Sequence, residues 1–304
     1  MKLGQAHGDR MVPPLLVLAQ ISSLQVGSAV AKGAYDEVGA TALAGMRLLF
    51  SAVIVWLLVR PRPSAMSSRQ RWTAIALGVV FATMNVAYFQ TIKYLPIGVA
   101  STVELLGPLV VAIAMSRHWK DLAGALMALA GVLLLVSPGA ALPIAGLPLG
   151  ALAATCRAAY VVLSRRVGRL FDDWSGLAVA LAVGACLLTP VAAATQGAVI
   201  ARHPHLLLTG LLVALLSSLI PYFLDLTALR RIDERAFGIL LAMSPAVGAG
   251  VGFVVLGEHM TVRQGAAIAM VIVATAWSVH SPGDRIGRAP TGSPTETEAG
   301  TPKA

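Results

Sequence analysis

Two charged side chains lie near the middle of long apolar stretches, where an ionised group is costly. Glu104 lies in the apolar run 97–115, and Arg47 lies in the run 38–59. Inside a membrane-spanning helix such a group costs roughly 2.5–3.5 kcal/mol on insertion scales, so it is a functional candidate by default. A buried carboxyl group can exchange a proton for an ammonium group. A guanidinium can pair with that carboxyl group, with a solute carboxylate, or within a purely structural ion pair.

Prolines lie one turn from two acids in the apolar runs. Pro108 has no amide hydrogen to donate to the carbonyl of Glu104, so a helix is weakened beside the acid and exposes oxygen atoms there. Asp225 follows Pro221 in the same way, but the basic residues at 230–235 are close, and an interfacial salt bridge explains Asp225 equally well. For Glu104 the alternative is a protonated carboxyl group that only hydrogen-bonds to a neighbouring helix.

Polar side chains within otherwise apolar runs are expected either to line a cavity or to form interhelical hydrogen bonds. Together with Glu104, Arg47 and Asp225, four of them are predicted to bind substrate or a proton: Gln25, Asn85, Tyr88 and Tyr222. The prolines predicted to break helices near this site are Pro108, Pro221 and Pro245. Arg157 lies seven residues from the end of its run, so its side chain is expected to extend to the cytoplasmic surface.

The elements that position these residues are predicted from composition. The chain is 57% hydrophobic and 12% charged, with a mean hydropathy of +0.78, whereas charged residues make up about a quarter of a soluble protein. The net charge of +9 does not indicate nucleic-acid binding, because the basic residues lie in short connections between apolar runs. The sequence therefore predicts an all-α membrane protein within a lipid bilayer.

Ten apolar runs are predicted to be transmembrane helices, since about 20 residues cross the hydrocarbon core. They cover residues 11–31, 38–59, 72–92, 97–115, 121–137, 144–164, 174–194, 206–229, 237–256 and 262–280. Lysine and arginine concentrate in the connections on the side of the N-terminus, and the other side holds only Lys32, Lys93, Arg202 and Arg263. Because basic loops remain in the cytoplasm, both termini are predicted to be cytoplasmic.

An internal repeat divides these ten runs into two groups of five. When Pro108 is aligned with Pro245, the fourth run matches the ninth in its small residues and in the lengths of its parts. An odd number of spans reverses direction, so two inverted five-helix repeats are predicted, as in secondary transporters with a site between the halves. A chance likeness between apolar stretches is the alternative. The division is 1–10 (cytoplasmic N-terminus), 11–137 and 144–280 (the repeats), and 281–304 (disordered cytoplasmic tail).

Other functional classes find less support. An enzyme would need a catalytic constellation at membrane depth or on a loop, but the histidines lie in loops or at run ends, with no metal-ligand spacing and no cofactor motif. Gly248 and Gly252 are interpreted as helix-packing positions rather than as a nucleotide loop, because no strand precedes them. A channel stays an alternative, although no ring of charge or filter-like motif is visible.

Several segments resemble the drug/metabolite transporter superfamily, in its EamA-domain branch. The likeness covers about residues 12–280 and rests on AGMRLLF around Arg47, MNVAYFQTIKYLPIGVASTVELLGP, Pro-Tyr at 221–222, LDLTALRRI, AFGILLAMSPA and LGE at 256–258. Within that branch the sequence is similar to the bacterial inner-membrane threonine and homoserine exporters. The resemblance implies export of small amino acids or related metabolites across the inner membrane by proton antiport, without a cofactor. Export of drugs, nucleosides or other metabolites is the alternative, and a homodimer is left open.

Carried over residue by residue, the resemblance also shows departures. Glu104 matches the acid of the family's fourth span, and Asp225 stands where the exporters have a glutamate. Ser244 stands where they have an acid before the proline, and Arg157 stands where an aromatic is expected, so substrate or coupling can differ. The expected mechanism is alternating access. In it Glu104 exchanges between a proton and the solute's ammonium group, while Arg47 holds the solute's carboxylate or neutralises Glu104.

Overall fold

The computed structural model describes residues 3–114, 146–221, 223–224 and 243–280, together with Met127, Ala130 and Gly131. Within this part of the chain every regular element is a helix, and no strand is present. Apart from those three isolated residues, the predicted fifth span at 121–137 lies outside the described residues. The same holds for Tyr222, Asp225 and the predicted tail 281–304.

The described helices follow the predicted apolar runs. In chain order they are α1 (Leu3–Gly33), α2 (Tyr35–Val38), α3 (Ala40–Val59), α4 (Ser68–Tyr94), α5 (Ile97–Ala114), α6 (Gly146–Leu170), α7 (Ser175–Arg202), α8 (His205–Ala214), α9 (Ser244–Leu256) and α10 (Val262–His280). A π-helical segment, Leu215–Leu219, continues α8. Because α1 begins at Leu3, most of the segment 1–10, which is predicted to be the cytoplasmic N-terminus, is helical.

Five of the described helices are long and apolar enough to cross a membrane. They are the Pro14–Gly33 part of α1, and α3, α4, α6 and α7. Three shorter apolar stretches, Ile97–Gly107, His205–Leu219 and Ser244–Leu256, lie in α5, in α8 with its π segment, and in α9. The predicted helical fold is therefore confirmed for the described residues, and its apolar helices have the length and composition of membrane spans. The count of ten spans and the inversion of the two halves stay predictions.

The helices that carry the candidate residues pack against helices from the other half of the chain. α5, which carries Glu104, lies against α6 and α9, and α1, which carries Gln25, lies against α9 and the π segment. α3 packs on α7, and α4 packs on both α6 and α7. Lipid is as apolar as a leucine side chain, so helices in a membrane associate through close packing and polar contacts. Any site between these helices is consequently built from both halves.

Small residues bring the helices together at their crossings. A Cβ atom added to Gly78 of α4 would lie 2.5 Å from the carbonyl oxygen of Ala180 in α7. Large side chains of α4 fill the core near this crossing, where Phe81 and Phe89 are at most 1% exposed. The interior is therefore a packed layer of glycine, alanine and aromatic residues, and a polar side chain within it must find a polar partner.

Candidate functional site

Glu104 faces Arg157 between α5 and α6. The Glu104 Oε1 atom lies 3.9 Å from Arg157 Nη1, and the two side chains retain 18% and 31% of their exposure. The guanidinium of Arg157 also lies over the ring of Tyr160, 5.3 Å from its centroid. A second cation, Arg47, also interacts electrostatically with the Glu104 carboxyl group. The acid predicted to be functional therefore lies within the field of two arginines.

The close crossing of α5 and α6 sets the distance between these two residues. A Cβ atom on Gly107 would collide with the carbonyl oxygen of Ala154, and one on Gly150 would lie 2.9 Å from Val103 Cγ1. These contacts advance by four residues along both helices, so α5 and α6 run in the same direction. Glu104 lies within this crossing on α5, next to Val103, and Arg157 lies about one turn after Ala154 on α6.

The expectation that Arg157 extends to the cytoplasmic surface is wrong. That expectation relied on the basic residues Arg165, Arg166 and Arg169, which follow at the C-terminal end of α6. In a helix, however, the Cα–Cβ bond tilts toward the N-terminus. Arg157 therefore extends back along α6, away from the basic end and toward Glu104, where it forms the ion pair. The direction of the helix, rather than the distance to its nearer end, determines where this side chain reaches.

Arg47 binds the π segment that continues α8. Its Nε donates a hydrogen bond to Ser218 Oγ at 2.9 Å, and its Nη2 donates to the carbonyl oxygen of Ser217 at 2.6 Å. The guanidinium also lies over Phe89, 5.6 Å from the ring centroid, and Arg47 is buried. The sequence left three alternatives for its partner, namely Glu104, a solute carboxylate and a structural pair. In this structure its hydrogen bonds anchor α3 to the second half.

Pro221 explains why a carbonyl of the π segment accepts a side-chain hydrogen bond. In this segment the amide of Ile220 donates to the carbonyl of Leu215, five residues earlier, so the next amide in the series, which would serve Leu216, is the one that proline lacks. Ser23 Oγ of α1 donates to that carbonyl of Leu216 at 2.6 Å, and Arg47 Nη2 donates to the neighbouring carbonyl of Ser217. π segments recur at functional sites, and here one provides two carbonyl oxygens to side chains of the first half.

The other two prolines have different surroundings. Pro108 lies inside α5, which continues to Ala114. Pro245 lies in the first turn of α9, where a helix does not need the missing amide hydrogen. The predicted break at Pro245 is therefore a helix start that follows Met243.

A second polar cluster surrounds Gln25 of α1. Its Nε2 lies 3.0 Å from Ser101 Oγ, 3.0 Å from Ser244 Oγ and 3.1 Å from the carbonyl oxygen of Ser244. Tyr88 Oη of α4 is 3.2 Å from the same Ser101 Oγ. A Cβ atom on Gly248 would lie 3.0 Å from Gln25 Nε2, so glycine there leaves room for the amide. The cluster joins α1, α4, α5 and α9, and it contains the predicted residues Gln25 and Tyr88.

The orientation of the Gln25 amide follows from this geometry. The carbonyl of Ser244 can only accept a hydrogen bond, so the Gln25 NH₂ group must face it. The Gln25 Oε1 atom is then buried without a hydrogen-bond partner among the described residues. The same is true of Asn85 Oδ1. The Asn85 amide nitrogen donates to the carbonyl of Phe81 at 2.8 Å. Buried acceptors without donors are uncommon in proteins, and an ammonium group or a proton-bearing solute group can supply donors.

Two serines of this cluster were not among the predicted binding residues. Ser101 lies three residues before Glu104, so both occupy one face of α5, and this spacing was a usable signal. Ser244 was noted only because it replaces an acid, and its contact with Gln25 joins residues 219 positions apart. No local pattern in the sequence indicates a contact of that kind.

A third polar group joins helix ends away from the centre of the spans. Lys32 Nζ, at the end of α1, lies 2.6 Å from Glu258 Oε1 and donates to the carbonyl of Leu95 at 3.0 Å. The other oxygen, Glu258 Oε2, accepts a hydrogen bond from the amide of Ile97 at 3.1 Å. Ile97 begins α5, so the carboxylate caps the positive end of that helix. Three helix ends are thereby tied at one place.

The backbone after α9 aims Glu258 at this position. Gly257 adopts the left-handed conformation with φ 65°, which glycine reaches without a steric penalty. The chain turns there, and the amide of Glu258 bonds to the carbonyl of Gly252 at 3.0 Å. A Cβ atom on Gly252 would collide with Glu258 Oε2. The LGE segment at 256–258 therefore combines a helix end, a turn and a carboxylate that reaches back.

Comparisons with known proteins agree with this architecture. A sequence model of the EamA-like transporter family matches twice, at residues 14–137 and 144–279. The threonine/homoserine exporter RhtA of Salmonella typhimurium is 31% identical over 270 residues, which are 88% of this chain and 91% of that protein. RhtA of Escherichia coli is 30% identical with the same coverage. A solved crystal structure aligns with 92% of this chain and 99% of its own, with a TM-score of 0.55 and 20% identity, which indicates a shared fold.

Proposed function

Because the chain belongs to the EamA-like transporter family, we propose that it exports small amino acids of the threonine and homoserine type across the cytoplasmic membrane, in exchange for protons. The chain is a transporter rather than an enzyme, and its substrate is a small molecule. The substrate class is inferred from the relatives that bear this activity in their names. The charge distribution of the loops supports cytoplasmic termini.

The observation that carries the proposal is the setting of Glu104. Its carboxyl group shares a face of α5 with Ser101 and lies 3.9 Å from Arg157. The helices around Glu104 also carry two buried acceptor oxygens, those of the Gln25 and Asn85 side chains. A carboxylate and amide oxygens attract an ammonium group, and the arginines attract a carboxylate. An amino acid carries both groups, whereas a purely apolar drug would satisfy neither.

Exchange follows if the proton and the solute's ammonium group compete for Glu104. When a proton binds the carboxyl group, the acid loses its charge and no longer attracts the ammonium, so the solute leaves. When the proton departs, the ionised carboxylate can bind the next solute. Coupling then requires that the site opens to one side of the membrane at a time. The Lys32–Glu258 contacts hold helix ends from both halves together, as is expected at the side of the membrane to which the site is closed.

The test uses purified protein in proteoliposomes. Counterflow is measured with labelled threonine and homoserine beside a panel of other amino acids, nucleosides and cationic drugs, with and without a pH gradient. Glu104→Gln is expected to abolish the acceleration of threonine transport by a pH gradient, because the amide cannot release a proton. Glu37→Gln is the matched control, since Glu37 makes an exposed contact with His205 at 3.0 Å, away from the site.

Two results would contradict the proposal. Transport by Glu104→Gln with an unchanged response to the pH gradient would show that the acid is not the coupling site. Counterflow of nucleosides or drugs but not of threonine or homoserine would assign a different substrate class to this fold.

A further inference from the structure

Arg157 differs from the other arginine near Glu104 in the exposure of its side chain. Arg47 is buried and donates hydrogen bonds to Ser218 Oγ and to the carbonyl of Ser217. Arg157 retains 31% exposure of its side chain and lies across from Glu104. A cation with that exposure in the middle of a membrane helix is expensive unless it borders a polar cavity. Of the two guanidiniums, that of Arg157 belongs to the more exposed side chain and lies opposite Glu104.

The spacing of the Glu104–Arg157 pair suits an exchange of partners. A direct charge-assisted hydrogen bond between nitrogen and oxygen measures about 2.7–2.9 Å, whereas these atoms are 3.9 Å apart. The pair is held by Coulomb attraction at a distance where a ligand can separate the two groups without breaking a short hydrogen bond. The ring of Tyr160, one turn along α6, lies 5.3 Å from the central carbon of the guanidinium, within cation–π distance.

We propose that Arg157 binds the carboxylate of the transported amino acid while Glu104 binds its ammonium group, so that the pair forms a dipolar site for a zwitterion. This inference rests on the proposed function, and it names the residue that would select solutes bearing a carboxylate. Every charge keeps a partner when the solute enters, because one protein pair is replaced by two protein–solute pairs. The planar guanidinium can also meet a carboxylate through two parallel hydrogen bonds.

A selectivity follows from this arrangement. Threonine presents both charges, whereas threoninamide has an ammonium group but no carboxylate. The amide would fill the Glu104 side of the site and leave Arg157 without an anionic ligand. The transporter should therefore prefer threonine over threoninamide. A hydrogen bond to a charged group contributes about 1.5–3 kcal/mol, which corresponds to a preference of roughly 10- to 150-fold.

The experiment measures how well unlabelled threonine and threoninamide inhibit counterflow of labelled threonine. It compares the original protein with Arg157→Gln, Arg157→Lys and the control Arg166→Gln, which changes an exposed arginine at the C-terminal end of α6. Arg157→Gln should lower the preference for threonine by about tenfold or more, and Arg157→Lys should retain part of it. Thermal unfolding of each variant in detergent, and direct binding of threonine, separate a misfolded protein from an altered site.

The outcomes distinguish this role from a structural one. If Arg157 only neutralises Glu104, then Arg157→Gln will shift the pH dependence of transport but keep the ratio of threonine to threoninamide, and the proposal is overturned. If the unmodified protein transports threonine without preferring it over threoninamide, the proposal is also overturned, although amino-acid export still stands. If the unmodified protein transports no amino acid, both the proposed function and this inference are wrong.

Discussion

Two of the ion pairs among the described residues join helices of the first matched region to those of the second and are built differently. Lys32 and Glu258 are 2.6 Å apart at helix ends, and both carboxylate oxygens have a donor, from Lys32 and from the amide of Ile97. Glu104 and Arg157 are 3.9 Å apart within the helices, and their side chains are more exposed than those of the first pair. The first arrangement fixes helix ends relative to each other. The second leaves two opposite charges in attraction without a short hydrogen bond between them.

The difference shows how one fold can contain a rigid contact and an exchangeable one. A short pair with a further backbone donor resists separation, because breaking it leaves charged groups without their hydrogen bonds. A pair at longer range can accept a polar solute between its members. Rigid ends and an adaptable centre are what a transporter needs if its halves move about a site between them. Three variants test this comparison.

Gly107→Ala should have the largest effect, because it acts on the helix crossing behind the central pair. The added methyl group would collide with the carbonyl oxygen of Ala154, so α5 and α6 must separate. We expect a loss of about 3 kcal/mol in unfolding free energy, at the upper end for overpacking. Thermal unfolding in detergent measures it. Gly168→Ala on α6 is the matched control, since a Cβ atom there meets nothing within 4 Å. Equal melting temperatures for both variants would contradict the close contact between α5 and α6 at Gly107.

Glu258→Ala should have the next largest effect and should leave the central pair in place. It removes the partner of Lys32 and the acceptor for the amide of Ile97, at an expected cost of about 2 kcal/mol in unfolding free energy. The double variant Lys32→Glu with Glu258→Lys restores the charge pair but not the helix cap, because lysine cannot accept a hydrogen bond. Its melting temperature should lie between those of the original protein and Glu258→Ala. Full recovery would mean that the bond from Ile97 contributes nothing.

Ser244→Ala should have the smallest effect. Gln25 Nε2 has two hydrogens and three nearby acceptors, so the loss of one hydroxyl leaves the carbonyl of Ser244 and Ser101 Oγ available. Hydrogen bonds between membrane helices contribute about 0.6 kcal/mol on average, and the melting temperature should change little. Threonine counterflow by Ser244→Ala should remain. A loss of stability as large as that of Glu258→Ala would show that the centre is as rigid as the helix ends.

The sequence by itself determined the helical membrane architecture and proposed several members of the candidate site. Long apolar runs must form helices in a bilayer, since every backbone polar group needs a partner there. Charged and polar side chains within those runs identified Glu104, Arg47, Gln25 and Tyr88, because burial makes such residues expensive wherever they lie. These inferences depend only on local composition and on the cost of transferring charge.

Only the tertiary structure decided which of these residues meet. Arg157 reaches Glu104 because α6 runs parallel to α5 and its side chains tilt toward the N-terminal end, a direction that loop charges do not reveal. Gln25 meets Ser244 across 219 positions, and Lys32 meets Glu258 across 226. Partners so far apart in sequence are brought together by helix packing alone. The cost of a buried charge is a local property, whereas its partner depends on the arrangement of the whole fold.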